Sequence, residues 1–178
     1  MASAHQENDR PQNIRAIMTF LREHTPFSHM DEAHLAYFAE HAELRFFADG
    51  DVVLTPDDGP VKRFNVVKQG RIRGERESGK DGEVQTTFEI SQGECFPLAA
   101  LVGERPTRTL HRAAGDTFCL SIEQDAFITL FSESEPFRDF CLRGVSSLLD
   151  QVNQRIQSSA MASMGSSTSL DTPLERYA

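Results

Sequence analysis

Two adjoining stretches carry residue types that can hold a small anion: Gly93-Glu94-Cys95-Phe96-Pro97-Leu98-Ala99-Ala100-Leu101, and the run from Gly103 to Ala113, GERPTRTLHRA. A Gly-Glu pair leads into a short apolar helical turn, a Pro-marked loop follows, and a β-rich segment closes on Arg112-Ala113. The first N–H groups of such a turn have no partner within the helix and carry partial positive charge, so a phosphate can bind there without a dedicated side chain. Glu94 would then be free to accept hydrogen bonds from a sugar hydroxyl. The two stretches together read as a phosphate-binding cassette.

This pattern resembles the cyclic-nucleotide-binding domain, whose cassette reads Gly-Glu, a small residue, a short helix, Pro-Arg, two small residues and a strand ending in Arg/Lys-Ala. The resemblance covers roughly residues 25–157 and includes the turn Gly70-Arg71-Ile72-Arg73. It implies a regulatory domain rather than an enzyme, with cAMP or another nucleotide monophosphate as ligand and no cofactor. The implied ligand contacts are Gly93, Glu94, Cys95, Phe96, Leu98 and Ala99, with Glu94 on the ribose and the backbone of Phe96 to Ala99 on the phosphate. Thr107 and Thr109 follow on the closing segment.

Two positions depart from the family pattern. Pro106 matches the family's Pro, so the phosphate-binding Arg falls on Thr107, and Phe96 stands where a Gly or Ala lets the backbone approach the ligand. A charge-assisted pair to phosphate is among the strongest contacts such a site can make. On a strand, Arg105 shares a face with Thr107 and Arg108 points the other way, and either is a candidate counter-charge. Arg71 and Arg73 share a face of their own hairpin, as a second basic pair or as a solvated surface. The rival to a nucleotide sensor keeps the fold and drops the ligand: a dimerisation scaffold whose pocket Phe96 fills.

The elements that must position these residues follow from periodicity. Asn13 opens an amphipathic helix carrying Ile14, Ile17, Met18 and Leu21, and Asp31 N-caps a second helix with Leu35, Phe38 and Ala39 inward. Short strand-like runs then follow: 44–47, 52–55, 64–68, 72–76, 85–90, 107–113 and 117–122, separated by turn residues such as Asp49-Gly50-Asp51, Gln69-Gly70 and Lys80-Asp81-Gly82-Glu83. This predicts a mainly β fold, a double-stranded β-helix or jelly roll, flanked by N- and C-terminal helices. After residue 122 the period returns to helical. From Pro136, Phe137, Phe140, Cys141, Val145, Leu148, Val152 and Ile156 form an apolar stripe that predicts homodimerisation through 144–157. The expected organisation is a disordered tail at 1–11, one domain at 12–157 and a flexible linker or tail at 158–178. Leu170-Asp171-Thr172-Pro173-Leu174 begins a further segment, which suggests a covalently linked output. The resemblance points to the N-terminal sensory module of bacterial proteins with a CBS pair and a nucleotidyltransferase-like domain.

Charge and composition exclude other classes. A net charge of -9 over 178 residues disfavours DNA and anionic membranes, and no run is apolar for long enough to span a bilayer. The polar N-terminus has no signal-peptide core, so a cytoplasmic location is expected. Cys95, Cys119 and Cys141 have no metal-knuckle spacing. A cupin-type metal centre needs converging His ligands, but His5, His24, His29, His34 and His41 precede the first strand, which leaves His111 as a strand residue or pocket-wall donor. No Ser or Cys stands in a nucleophile elbow.

Overall fold

The computed structural model describes residues 6–78 and 83–165. Helix α1 (Gln6–Arg22), a 3-10 turn (Phe27–His29) and α2 (Glu32–His41) precede the strands β1 (Glu43–Phe47), β2 (Val52–Leu54), β3 (Arg63–Gln69), β4 (Ile72–Ser78), β5 (Glu83–Ile90) and β6 (Cys95–Phe96). Helix α3 (Leu98–Val102) separates these from β7 (Leu110–Ala113) and β8 (Thr117–Glu123), and α4 (Gln124–Glu133) and α5 (Glu135–Gly165) close the chain. Two antiparallel sheets form, the first ordered β1-β8-β3-β6 and the second β2-β7-β4-β5. This is the expected jelly roll with helices on both flanks.

Strands β3 and β8, central in the first sheet, are buried on both faces and read as near-continuous apolar runs. Phe64, Val66, Leu120 and Ile122 face the helices, packing with Leu21, Phe27, Phe38, Phe127, Leu130 and Phe137. Val67, Cys119 and Phe96 face the other way, into the roll, against Ile72, Ile90 and Ala113 of the second sheet. The strand period of two puts these sets on opposite sides. Phe64 is the hub of the helical side: its ring lies 5.3 Å from Phe127, 5.6 Å from Phe137 and 6.4 Å from Phe38. Burying a Phe contributes roughly 1.5–3 kcal/mol, which makes this cluster the principal anchor of the helices on the roll.

Four features differ from the sequence reading. Helix α1 starts at Gln6, so residues 6–11, expected as a tail, are helical. Arg10, Pro11 and Gln12 on its first turns are exposed, so they leave no apolar period to read. Helix α5 runs to Gly165, past the boundary expected at 157, with Pro136 in its first turn, where a missing N–H is tolerated. Residues 107–109 lie outside any strand, because the Thr107 hydroxyl donates to the Thr109 carbonyl (3.1 Å) and accepts from the Thr109 N–H (3.3 Å). That local turn takes the backbone groups a ladder would need. The short strand β6 carried no periodic signal of its own. The tip at 80–82, the segment at 170–174 and the Leu148 and Val152 side chains lie outside the described residues.

Candidate ligand-binding site

Cross-strand pairing in the second sheet sets Phe88, Gly74 and His111 in one row from β5 to β7, on the face turned into the roll. Gly74 has no side chain between the two rings. A Cβ there would stand 2.3 Å from the Phe88 ring, so the absence of one is what lets that ring reach within 5.6 Å of His111. The pairing of β4 with β5 shifts beside Gly74, leaving Thr87 as an extra residue whose hydroxyl donates to the Gly74 carbonyl (3.1 Å). Such a bulge re-aims the neighbouring side chain.

Phe96 approaches from the first sheet and stacks on His111 at 5.4 Å with 14° between the planes. Beside it, the Ser121 hydroxyl donates to the Asn65 side-chain oxygen at 2.5 Å, and the Asn65 amide reaches the Phe96 carbonyl at 3.5 Å. Residues 65 and 121 lie between residues that face the helices, so their side chains point into the roll. His111 is buried and its Nδ1 is 3.0 Å from the Thr109 carbonyl. A carbonyl only accepts, so Nδ1 carries the proton in the neutral ring and Nε2 presents a lone pair. Burial lowers the His111 pKa below its ordinary value and favours that neutral ring.

The expected cassette residues divide into three groups. Phe96, Thr107 and Thr109 are buried beside His111. Gly93 and Glu94 form the turn into β6: Gly93 takes φ +84 with the His24 ring against it, and the Glu94 carboxylate accepts from the Ser91 N–H at 2.5 Å. Glu94 is thus engaged in its own turn and is separated from α3 by β6. Cys95 and Leu98 pack on the helical side, and burial raises the Cys95 thiol pKa. Ala99 lies half-buried on α3, whose Leu101 N–H is the first to bond back, to the Pro97 carbonyl at 3.1 Å. The preceding first-turn donors are those of Leu98, Ala99 and Ala100.

The basic residues are mostly committed elsewhere. Arg105 donates to the Pro106 carbonyl (3.3 Å), and Arg112 pairs with Glu75 (3.2 Å) and donates to the Gly50 carbonyl (2.6 Å). Arg71 and Arg73 both reach Glu89, at 3.7 and 3.8 Å, as a solvated pair. Arg108 is exposed and lies on the turn rather than on a strand, so the expected face rule does not apply to it. Among the described residues no cluster of His, Cys, Asp or Glu could hold a metal, and no helix is long and apolar enough to cross a membrane.

The sequence reading missed Phe88, Gly74, Asn65 and Ser121. Gly74 carried the available signal, since a glycine inside a strand marks a close approach. Of the described clefts, one of about 110 Å³ lies between α3 and α4 and a second of about 480 Å³ between α1 and α2, both outside the aromatic row. The Phe88 ring covers Gly74, so a guest over that residue must move it.

Comparison with known proteins agrees with this architecture. No curated protein matches the chain. Among solved structures, the regulatory domain of Toxoplasma gondii protein kinase A with cAMP is similar over 77% of this chain and 51% of its own, at 18% identity and TM-score 0.68. A regulatory subunit of a cAMP-independent protein kinase A from Trypanosoma cruzi, bound to guanosine, matches 85% of this chain and 52% of its own, at 13% identity and TM-score 0.70. The Trypanosoma brucei counterpart is a triple mutant, one change being Thr to Arg, bound to cAMP in its A site. It matches 85% and 53%, at 13% identity and TM-score 0.61. The chain thus spans about half the length of these relatives. The cyclic nucleotide-binding domain, a regulatory ligand-binding family, matches residues 44–134, and with the two paired sheets in place, the chain belongs to that family.

Proposed function

We propose that this chain is a non-catalytic sensory domain that takes a nucleoside-bearing small molecule inside the roll, with cAMP and other nucleotide monophosphates among the candidates, and relays its presence to α5. The observation that carries the relay is the contact between cassette and long helix. A Cβ on Gly144 of α5 would stand 2.7 Å from the Leu98 side chain, so α3 and α5 meet at a glycine with no slack between them. An occupant that displaces Phe96 shifts β6 and therefore α3, and α5 must follow or lose that contact. A ligand biases such an arrangement only through different affinities for its two states. The relatives described above hold cAMP or guanosine, which supports a nucleoside, with or without phosphate, as the ligand class. We favour a module that acts on covalently linked domains, with a CBS pair and a nucleotidyltransferase-like domain as the output.

Hydrogen–deuterium exchange of the chain, alone and with millimolar nucleosides and nucleotides, tests this. Altered protection in both α3 and the first half of α5 is the expected result. Altered protection confined to the roll would remove the relay and keep the ligand.

A second reading draws on Phe96, which is 3% exposed and already stacked on His111. It makes the domain a scaffold that dimerises through α5, where Leu142 and Ile156 are 49% and 61% exposed. Sedimentation of the chain and of Ile156→Glu decides it. A dimer lost in the variant, with no exchange response to any nucleoside or nucleotide, would favour the scaffold.

A further inference from the structure

We propose that the slot over Gly74, walled by Phe88 and His111, takes the flat ring of an uncharged nucleoside, and that the site discriminates against the phosphorylated forms. This narrows the ligand of the site proposed above and rests on that reading.

The slot is a built feature. Glycine weakens a strand interior unless something needs the space, and here the neighbours on either side of it in the row are aromatic. The bulge at Thr87 turns Phe88 across that space, so its ring covers Gly74; at 39% exposed it can swing back over its own strand, which opens the slot and leaves the ring as the wall opposite His111. A planar base that replaces it over Gly74 stacks against both rings, an interaction every nucleobase can make. The protonated Nδ1 of His111 is held by the Thr109 carbonyl, which leaves Nε2 to accept an N–H from the edge of the base. Among the described residues no group bonds Nε2.

The same surroundings are hostile to phosphate. Burying an anion without a paired cation is strongly unfavourable. The family's arginine position is Thr107, whose hydroxyl is closed on Thr109. Arg112, Arg71 and Arg73 are held by Glu75 and Glu89, Arg105 turns back on the Pro106 carbonyl, and Arg108 is exposed on the outside of the turn. The polar groups that do face inward, Asn65, Ser121, Thr109 and His111, are uncharged hydrogen-bonding groups suited to a base and a ribose.

Isothermal titration calorimetry of the full chain with adenosine and guanosine, against AMP, GMP, cAMP and cGMP at matched ionic strength, tests the inference. The expected result is a nucleoside bound at least ten-fold more tightly than its own monophosphate and cyclic forms. Equal or tighter binding of a phosphorylated form would overturn this inference while leaving the roll as the ligand site. No heat from any of the six up to millimolar concentration would overturn both. Gly74→Val fills the slot and is expected to weaken nucleoside binding at least ten-fold in a chain whose circular dichroism is unchanged. Phe88→Ala guards against a misfolded Gly74 variant: it removes one wall and is expected to lower affinity by about ten-fold. Unchanged affinity in the alanine variant sinks the slot. Thr107→Arg is expected to raise AMP or cAMP affinity at least ten-fold, and no gain would contradict the charge argument.

Discussion

Strands β3 and β8 present two faces with opposite chemistry, although their residues alternate within the same few positions. Toward the helices they offer Phe64, Val66, Leu120 and Ile122, wholly apolar and wholly enclosed. Toward the roll they offer Asn65, Val67, Cys119 and Ser121, where a buried amide and hydroxyl bond one another next to an aromatic stack. Cores maximise close packing and seldom include polar groups that need exact partners. The helical face therefore holds the fold together, and the roll face keeps the groups that a ligand could use.

That division can be broken most severely from the helical side. Phe64→Ala is expected to destabilise the chain by about 3–5 kcal/mol, read from urea unfolding midpoints, because it opens a cavity between three other rings. A loss below about 1.5 kcal/mol would mean that the anchor lies elsewhere. On the roll side, Ser121→Ala leaves the Asn65 oxygen buried without its donor, for an expected loss of about 1–3 kcal/mol in the same measurement. A smaller effect is expected from pH. Burial holds the His111 pKa below its ordinary value, so the unfolded chain takes up the proton more readily. The stability this residue confers is full above the unfolded value of about 6.5, declines as pH falls through it, and levels off below the lower folded value. Unfolding midpoints at pH 8 and pH 5 should show His111→Phe gaining on the parent chain at the acid end; a constant gap would mean that His111 is not shielded. Arg71→Ala, at the solvated pair with Glu89, should change stability by no more than about 0.5 kcal/mol. A larger loss would make that hairpin face structural.

Much of this was legible in the sequence. Alternation and turn residues located the strands of the roll, and the short helical turn expected after Gly93-Glu94 is α3 (Leu98–Val102). What could not be read was where side chains spend their hydrogen bonds. Glu94 looks available on paper, but its carboxylate closes the turn with Ser91. Thr107 to Ala113 looks like one strand, yet the Thr107 hydroxyl folds its first part into a turn. Gly74 reads as an ordinary interruption until cross-strand register sets it between two rings contributed by β5 and β7. Register is a long-range property fixed by the other strands, and no local window contains it.

The order of the first sheet also bears on how the chain reaches its native state during synthesis. Both β1 and β3 pair with β8, which comes last of the strands, so neither has its central partner until Thr117–Glu123 has left the ribosome. Until then β1 carries Leu44 and Phe46 on an unpaired edge, and such edges recruit other chains. Contacts this distant in sequence close slowly. A chain interrupted before Thr117 would be prone to aggregation, however sound each of its earlier segments.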